Sequence, residues 1–311
     1  MINYIIKRLS YMIPTFIGAM IAVFIILRLL PGDPARLIAG PEALEEDVAR
    51  IRHQLGLDKP LYAQFIDYIS SVLRGDLGTS IRTREPVLNE ILYRFPYTLS
   101  LAIVAEIIAV SLAIPLGIIS ALKPRSMASY AISIFSLTGA SVPIFWIALL
   151  FIYVFAVELK ILPSGGAESP RHIILPALTL SLALIGNLIR ITRASILDAL
   201  SSNHVVTAVA KGLPRSKVIT RHILRNALIP ITTVIGVQIG VLLGGAIVTE
   251  YIYAWPGIGS LLMESIFARD YPMVQGIIMF MILVFMIINL IIDVLHGLID
   301  PRVRYGVWSS K

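Results

Sequence analysis

Cysteine is absent from the 311 residues, which excludes disulfide frameworks, thiolate metal sites, iron–sulfur clusters and a cysteine nucleophile. Charge is scarce as well: Asp, Glu, Lys and Arg make up 14% of the chain, against about 25% in an ordinary soluble protein. A Gly-x-x-x-x-Gly-Lys-Ser/Thr run is missing, so the chain cannot cradle ATP phosphates by that loop. Neither Gly-x-Ser-x-Gly nor His-Glu-x-x-His occurs, which leaves hydrolase chemistry without a nucleophile elbow or a zinc pair. The histidines His53, His172, His204, His222 and His296 are scattered, lack a paired carboxylate at ligand spacing and read as structural, so no metal site is expected.

What the chain has instead is apolar length. Hydrophobic residues make up 57% of it, against about 45–50% in soluble domains, and the mean hydropathy is +0.84. Six stretches, residues 11–30, 99–122, 130–157, 173–191, 227–248 and 274–298, approach or exceed the ~20 residues a membrane-crossing helix needs. The expected fold is all-α: a polytopic membrane protein of six transmembrane helices. Pro14, Pro115, Pro143 and Pro176 lie inside these runs, where neighbouring helices can satisfy the freed backbone groups. Lys7 and Arg8 before the first run imitate a signal peptide. No small-residue cleavage site follows, however, and the run ends in the turn sequence Leu30-Pro31-Gly32-Asp33-Pro34, so the first helix is expected to stay.

The net charge of +7 is distributed for topology. Lys7, Arg8, Lys123, Arg125, Arg190, Arg193, Lys211, Arg215, Lys217, Arg221, Arg225, Arg302, Arg304 and Lys311 border one set of helix ends, while the two short loops opposite hold Lys160, Arg171 and Arg269. The positive-inside bias therefore predicts both termini in the cytoplasm, with the long loop 31–97 left out of the count. Charge that flanks helices in this way argues against a nucleic-acid partner and for contact with membrane lipid.

Three segments between the helices carry structure of their own. Residues 31–97 read as a small external α-helical loop domain, either a packing cover or a docking platform for an external partner. In it Glu42, Glu45, Glu46 and Asp47 precede Arg50, Arg52, His53 and Gly56, the order a helix macrodipole and a glycine cap prefer, which predicts a helix over 41–56. Leu61, Phe65, Tyr68, Ile69, Val72 and Leu73 recur at helical spacing, and 87–95 reads as a third short helix. The cytoplasmic segment 192–226 predicts a helix over 194–211, a cap at Gly212 and a restart at Pro214. Lys217, Arg221 and Arg225 then share one face, suited to lipid headgroups. The third segment, 250–275, is too apolar for an exposed loop and too rich in Gly and Pro for a continuous helix. Its Trp255, Pro256 and Gly257 belong either to an aromatic belt or to a short external helix folded back over the mouth of a pathway.

Motifs are spread along nearly the whole chain: Leu30-Pro31-Gly32-Asp33-Pro34, Leu55-Gly56-Leu57-Asp58-Lys59-Pro60-Leu61, Gly75-Asp76-Leu77-Gly78, Ala210-Lys211-Gly212-Leu213, His222-Ile223-Leu224-Arg225-Asn226-Ala227-Leu228-Ile229-Pro230, Trp255-Pro256-Gly257, Arg269-Asp270-Tyr271-Pro272 and Asp300-Pro301-Arg302. In that order they resemble the inner-membrane permease subunit of ATP-binding-cassette importers of the dipeptide, oligopeptide, glutathione and nickel group. The resemblance implies a division into the cytoplasmic N-terminus and first helix (1–30), the external loop (31–97) and a five-helix permease core (98–311). It also implies that 192–226 holds the coupling helix that sits in a groove of an ATPase subunit. Gly212 matches the signature glycine and Ala208 the second alanine of the permease loop. Val206 stands at the glutamate position and Thr207 at the first alanine, with Lys211 and Leu213 beside the glycine. Permeases of this group often have arginine at the positions of Val206 and Val209, so the dock here is more apolar than usual. The implied assembly is a heterodimer with a second related permease, two ATPase subunits that carry ATP and Mg, and an external substrate-binding protein. This chain itself needs no cofactor, is no enzyme, and lies in the bacterial or archaeal cytoplasmic membrane. A small peptide is the implied substrate, with glutathione or a nickel chelate as the alternative.

Polar groups inside the apolar runs are the remaining candidates. Gly236, Gly240 and Gly244 recur every four residues and let another helix approach closely. Gln238 lies on a different face and needs a partner or water, which suits a pathway lining as well as a buried contact. Arg28 and Arg190 sit near helix ends where long side chains snorkel, and Asp293, beside Asn289 and His296, reads as a structural contact near the cytoplasmic boundary. Glu106 lies too deep for that and must face the interior or a partner. A proton-coupled secondary transporter working through Glu106 is the distant alternative, although no internal repeat supports it.

Overall fold

The computed structural model describes residues 2–29, 34–40, 42–54 and 56–299. The motif segments Leu30-Pro31-Gly32-Asp33, Leu55 and Asp300-Pro301-Arg302 lie outside them, as do the side chain of His296 and the surroundings of Gly244. The described residues are helical almost throughout, with one isolated β-bridge between Thr79 and Pro86.

Helix α1 (Ile2–Leu29) carries Pro14 without breaking. The loop that follows holds α2 (Pro34–Ala39), α3 (Glu45–Gln54) and α4 (Leu61–Leu73). α3 is shorter than the expected 41–56. Glu45, Glu46 and Asp47 lie in its first turn and Arg52 and His53 in its last, as the macrodipole favours.

Helix α5 (Val87–Leu122) corrects the reading of 87–95 as a separate short helix. It runs for 36 residues through Pro96 and Pro115, about 54 Å at 1.5 Å per residue, so its first turns stand clear of a hydrocarbon core of about 30 Å. Val87 and Ile91 are fully buried against Ile258, Leu261 and Ile277, and this packing keeps the turns before Pro96 in line with the rest.

The third expected span is not one helix. α6 (Met127–Ser141) and α7 (Ile144–Phe151) are bent by 101°. Pro143 has no amide to continue the ladder and pushes Val142 out of the helical region, to φ −83° and ψ 130°. α7 continues through π-type turns over Ile152–Glu158. A short 3₁₀ turn at Pro170–Ile173 leads into α8 (Ile174–Leu200), which places Pro176 in a first turn, where its missing amide costs nothing.

The expected helix over 194–211 is also divided. α8 stops at Leu200, and α9 (Asn203–Ala210) starts after an extended Ser202. The Ser201 and Ser202 hydroxyls donate to the carbonyls of Asp198 and Ala199, an alternative that serine offers a backbone leaving a helix. Beyond Gly212, α10 (Arg215–Lys217) passes through π-type turns at Val218–Ile223 into α11 (Leu224–Gly245). α12 (Ile247–Ile252), α13 (Ile258–Phe267) and α14 (Tyr271–Ile299) complete the chain as described. Among the described residues five helices are long and apolar enough to cross a membrane, and the bent pair α6–α7 makes a sixth if counted as one span.

The bundle is organised around α5 and α8. Along α5, Ala102, Ala105, Ala109 and Ala113 are buried at helical spacing, and Gly117 lies so near α8 that a Cβ there would stand 2.6 Å from Thr192. Small side chains let the two backbones approach, the means by which membrane helices gain contact without a hydrophobic driving force. Helix α11 packs on α14 in the same way. A Cβ at Gly236 would meet Ile292 at 2.5 Å, and one at Gly240 would meet Phe285 at 3.1 Å. Arg8 on α1 and Asp293 on α14 pair at 3.1 Å near one end of the bundle.

Candidate functional site

Two regions at opposite ends of the bundle gather the residues singled out by the sequence. The first is α9 with its closing turn. Val205 and Ala208 are buried against the C-terminal end of α8 and the N-terminal end of α11, while Val206 and Val209 on the opposite side are each 60% exposed. The helix ends in a Schellman turn: the Gly212 amide donates to Val209 O at 2.9 Å and the Leu213 amide to Ala208 O at 3.3 Å. Gly212 has φ +73°, and nothing lies within 4 Å of where its Cβ would stand. Glycine is therefore required by backbone conformation, and the space around it is open. Thr207 and Lys211 are exposed on the same segment, and Leu213 packs against the core beneath. Asn226 at the start of α11 donates through Nδ2 to His204 Nε2 at 2.7 Å and so ties α9 to the helix it precedes. The result is a short rigid helix that turns an apolar face outward.

The second region is the turn between α12 and α13. Glu250 is fully buried, and its carboxylate accepts from Thr98 Oγ1 at 2.7 Å, from the Gly259 amide at 2.7 Å and from the Ser260 amide at 3.2 Å. It thereby fills the N-terminus of α13, while the Thr98 hydroxyl accepts the Ile258 amide at 2.8 Å. Burial pushes the Glu250 carboxyl up to about 6, against the opposing pull of those hydrogen bonds and of Arg94. Trp255 is buried, and its Nε1 donates to Tyr97 O at 3.0 Å. Pro256 is half-buried and Gly257 is buried. Tyr253, also buried, donates through its hydroxyl to Ala148 O at 3.1 Å and meets Thr179 Oγ1 at 2.9 Å. Its carbonyl receives the Gly166 amide at 2.8 Å. One turn is thus bolted to α5, α7, α8 and the loop before α8.

Beside this turn, Asp270 is buried and accepts from Ser80 Oγ at 2.5 Å, the Arg82 amide at 3.2 Å and the Met273 amide at 3.2 Å. It caps α14 and fastens it to the segment after Gly75-Asp76-Leu77-Gly78. Glu264 on α13 pairs with Arg82 at 3.2 Å and Arg94 at 3.7 Å.

Glu106 and Gln238 are buried within the chain's own bundle, 5% and 6% exposed. Gln238 donates to Leu184 O at 3.1 Å, but its Oε1 and both carboxylate oxygens of Glu106 find no partner among the described residues. Neither lines the cavity of about 720 Å³ between α1, α11 and α14, whose walls include Tyr11, Thr15, Gly240, Phe285, Asn289 and Asp293. Of the residues singled out in the sequence, Arg8, Gly240, Asn289 and Asp293 are there. Arg28 donates through Nε to Gln64 on α4 at 3.0 Å and lies over the Phe24 ring.

Sequence reasoning missed the pairings of Thr98 with Glu250 and of Ser80 with Asp270, and the contacts of Tyr253 with α7 and α8. An acidic residue in an apolar run just before paired glycines is the signal that could have found Glu250. The histidines need a correction too: His172 meets Glu168 at 2.8 Å and His53 meets Asp58 at 2.7 Å, since a side chain four or five residues away lies within reach across one turn. Among the described residues no three metal-binding side chains come together.

The profile of the binding-protein-dependent transport system inner membrane component matches residues 113–305, and that of the N-terminal part of such membrane components matches residues 1–102. The chain belongs to this family. It is 47% identical over 305 residues to the glutathione transport system permease protein GsiC of Escherichia coli (strain K12), covering 98% of this chain and 100% of that one. The Salmonella typhi protein of the same name is 46% identical over the same span. A chain of the inward-facing MetNI methionine ABC transporter matches with a TM-score of 0.56 at 15% identity, covering 68% of this chain and 96% of that one; at such identity the fold alone is shared. The protein is therefore a multi-pass inner-membrane permease subunit of an ATP-binding-cassette importer, a family that works with an ATPase and a substrate-binding protein. Membership in it overturns the reading of a proton-coupled secondary transporter working through Glu106.

Proposed function

We propose that the chain forms one half of the pathway through which glutathione, or a small peptide of that kind, enters the cell. A second related permease supplies the other half, and an external binding protein delivers the substrate. Two ATPase subunits, which hold ATP and Mg, drive the cycle from the cytoplasmic side, where both termini lie. The observation that carries the coupling role is the exposed Val206–Val209 face of α9, closed by the turn at Gly212. An apolar face on a short helix braced by Asn226 suits a groove in a partner and transmits movement as a rigid body. Support for glutathione over the dipeptides and nickel chelates of the wider group comes from the GsiC relatives, which match from end to end.

Vesicles containing the permease with its co-expressed partner subunits test the reading. ATP-driven uptake of radiolabelled glutathione, dependent on the binding protein, is the expected result. Uptake of a nickel chelate or a dipeptide with no glutathione uptake would overturn the substrate, and uptake by the permease alone would overturn the assembly.

A further inference from the structure

Helix α4 divides its surface into three sectors. Phe65, Tyr68, Ile69 and Val72 face the bundle and join the cluster built by Met20, Val23, Ile91 and Met273. The Phe65 ring meets Phe24 edge-on at 5.1 Å, and Tyr68 stacks beside it at 6.1 Å. Asp67, Ser70 and Ser71 form a polar sector, with Asp67 paired to Lys59 at 2.7 Å. Between the two lies an exposed apolar flank, where Tyr62 is 71%, Ile66 61% and Leu73 77% exposed. At about 100° per residue these three fall within roughly 40° of one another, between the packed residues and the polar ones. Scattered exposed apolar residues need no explanation, but a continuous flank does.

The contacts of the packed sector fix where the flank lies. Phe24 belongs to the apolar stretch Arg8–Ile26 and Met273 to Tyr271–Leu295, two of the candidate spans. Because α4 rests against the last turns of α1 and the first turn of α14, its free flank stands at the depth where these two spans meet the edge of the hydrocarbon. A tyrosine within the flank and the exposed Arg74 just beyond the helix suit the headgroup level. A helix that is apolar on one flank, polar above and packed on its third side has the form of one lying in an interface.

We propose that α4 is an interfacial helix whose Tyr62–Ile66–Leu73 flank rests among the acyl chains just beneath the phospholipid headgroups of the outer leaflet. The choice of leaflet rests on the proposed orientation, whereas the contact with lipid does not. The lipid surface thereby steadies the loop that Arg28 and Gln64 join to α1.

The cysteine-free sequence allows a direct test. Single spin labels at Ile66→Cys, Leu73→Cys, Asp67→Cys and, as a lipid-facing reference on α1, Ile17→Cys are placed in permease reconstituted with its partner subunits in phosphatidylethanolamine–phosphatidylglycerol vesicles. Collisions with oxygen and with a water-soluble nickel chelate are then compared. The oxygen-to-nickel ratio at 66 and 73 is expected to be several-fold above that at 67 and to approach that at 17. Tyr62→Trp should in addition show quenching by lipids brominated near the headgroup end of the chain, beyond that of the parent. A ratio at 66 equal to that at 67 would place the flank in water and overturn the proposal. Exclusion of both collision partners would show a protein partner covering it and overturn it equally. Ser71→Cys, labelled by an impermeant reagent from one side only, reads the orientation independently.

Discussion

Glu250 Oε2 accepts the Gly259 amide at 2.7 Å, and that approach leaves no room for a side chain at position 257 or 259. A Cβ at 257 would stand 2.3 Å from the same oxygen and 2.5 Å from Thr98 Oγ1. A Cβ at 259 would stand 2.6 Å from the Ile247 Cα, which is backbone and cannot rotate away. The Trp-Pro-Gly motif is thus the outline of a buried carboxylate. Gly257→Ala and Gly259→Ala are each expected to cost about 1–3 kcal/mol through overpacking. Gly18→Ala, with nothing within 4 Å, should be neutral or slightly stabilising. Apparent melting temperatures of the three variants in one detergent, at one scan rate, check the ranking.

Glu250 should also make stability depend on pH. Its folded-state value of about 6 lies above the ordinary 4.5 because the side chain is buried. The folded state therefore binds the proton more tightly than the unfolded chain does. The contribution is fully present below about 4.5 and lost as pH rises through about 6, with a magnitude on the order of 2 kcal/mol. Melting between pH 4.5 and 7 should show this decline, and Glu250→Gln should flatten it. A decline of equal steepness in the Gln variant would assign the effect to another group.

Asp270 joins two motifs that lie far apart in sequence, receiving the Ser80 hydroxyl and the Arg82 and Met273 amides together. Asp270→Ala removes a helix cap and leaves buried donors without an acceptor, at an expected cost of about 1–3 kcal/mol. Because one of its partners is the segment after Gly78, limited proteolysis should cut near residues 78–86 faster in the variant. Unchanged cleavage there would show that the loop is held by other contacts, such as Arg82 with Glu264.

The spans were legible because they need only composition and length, and so was the glycine that closes α9, since a left-handed cap has few alternatives. Pro143 was not. Pro14, Pro96, Pro115 and Pro230 all sit inside continuous helices, whereas Pro143 ends one, and local sequence does not separate the two cases. What differs is whether neighbours hold the halves in line, as Val87 and Ile91 do before Pro96. The Glu250 and Asp270 sites were hidden for a related reason. Thr98 and Glu250 are 152 residues apart, and Ser80 and Asp270 are 190 apart. Each motif stood out in the sequence, but nothing in a single sequence says which motif another one meets.

Gly212→Leu tests the coupling surface. With φ +73°, position 212 would hold leucine at a backbone cost on the order of 1–2 kcal/mol. That strain is modest, and nothing among the described residues stands within 4 Å of the added Cβ. Folding and abundance should therefore be nearly normal, while a partner seated against α9 would meet the new bulk. Val206→Asp probes the same contact without touching the backbone, by placing a charge on a face that is 60% exposed and apolar. In reconstituted vesicles both variants are expected to keep permease abundance and basal ATP hydrolysis while losing at least tenfold in substrate-stimulated hydrolysis and uptake. Loss of abundance in Gly212→Leu alone would point to the turn rather than the dock. Normal uptake in both would remove α9 from the coupling surface.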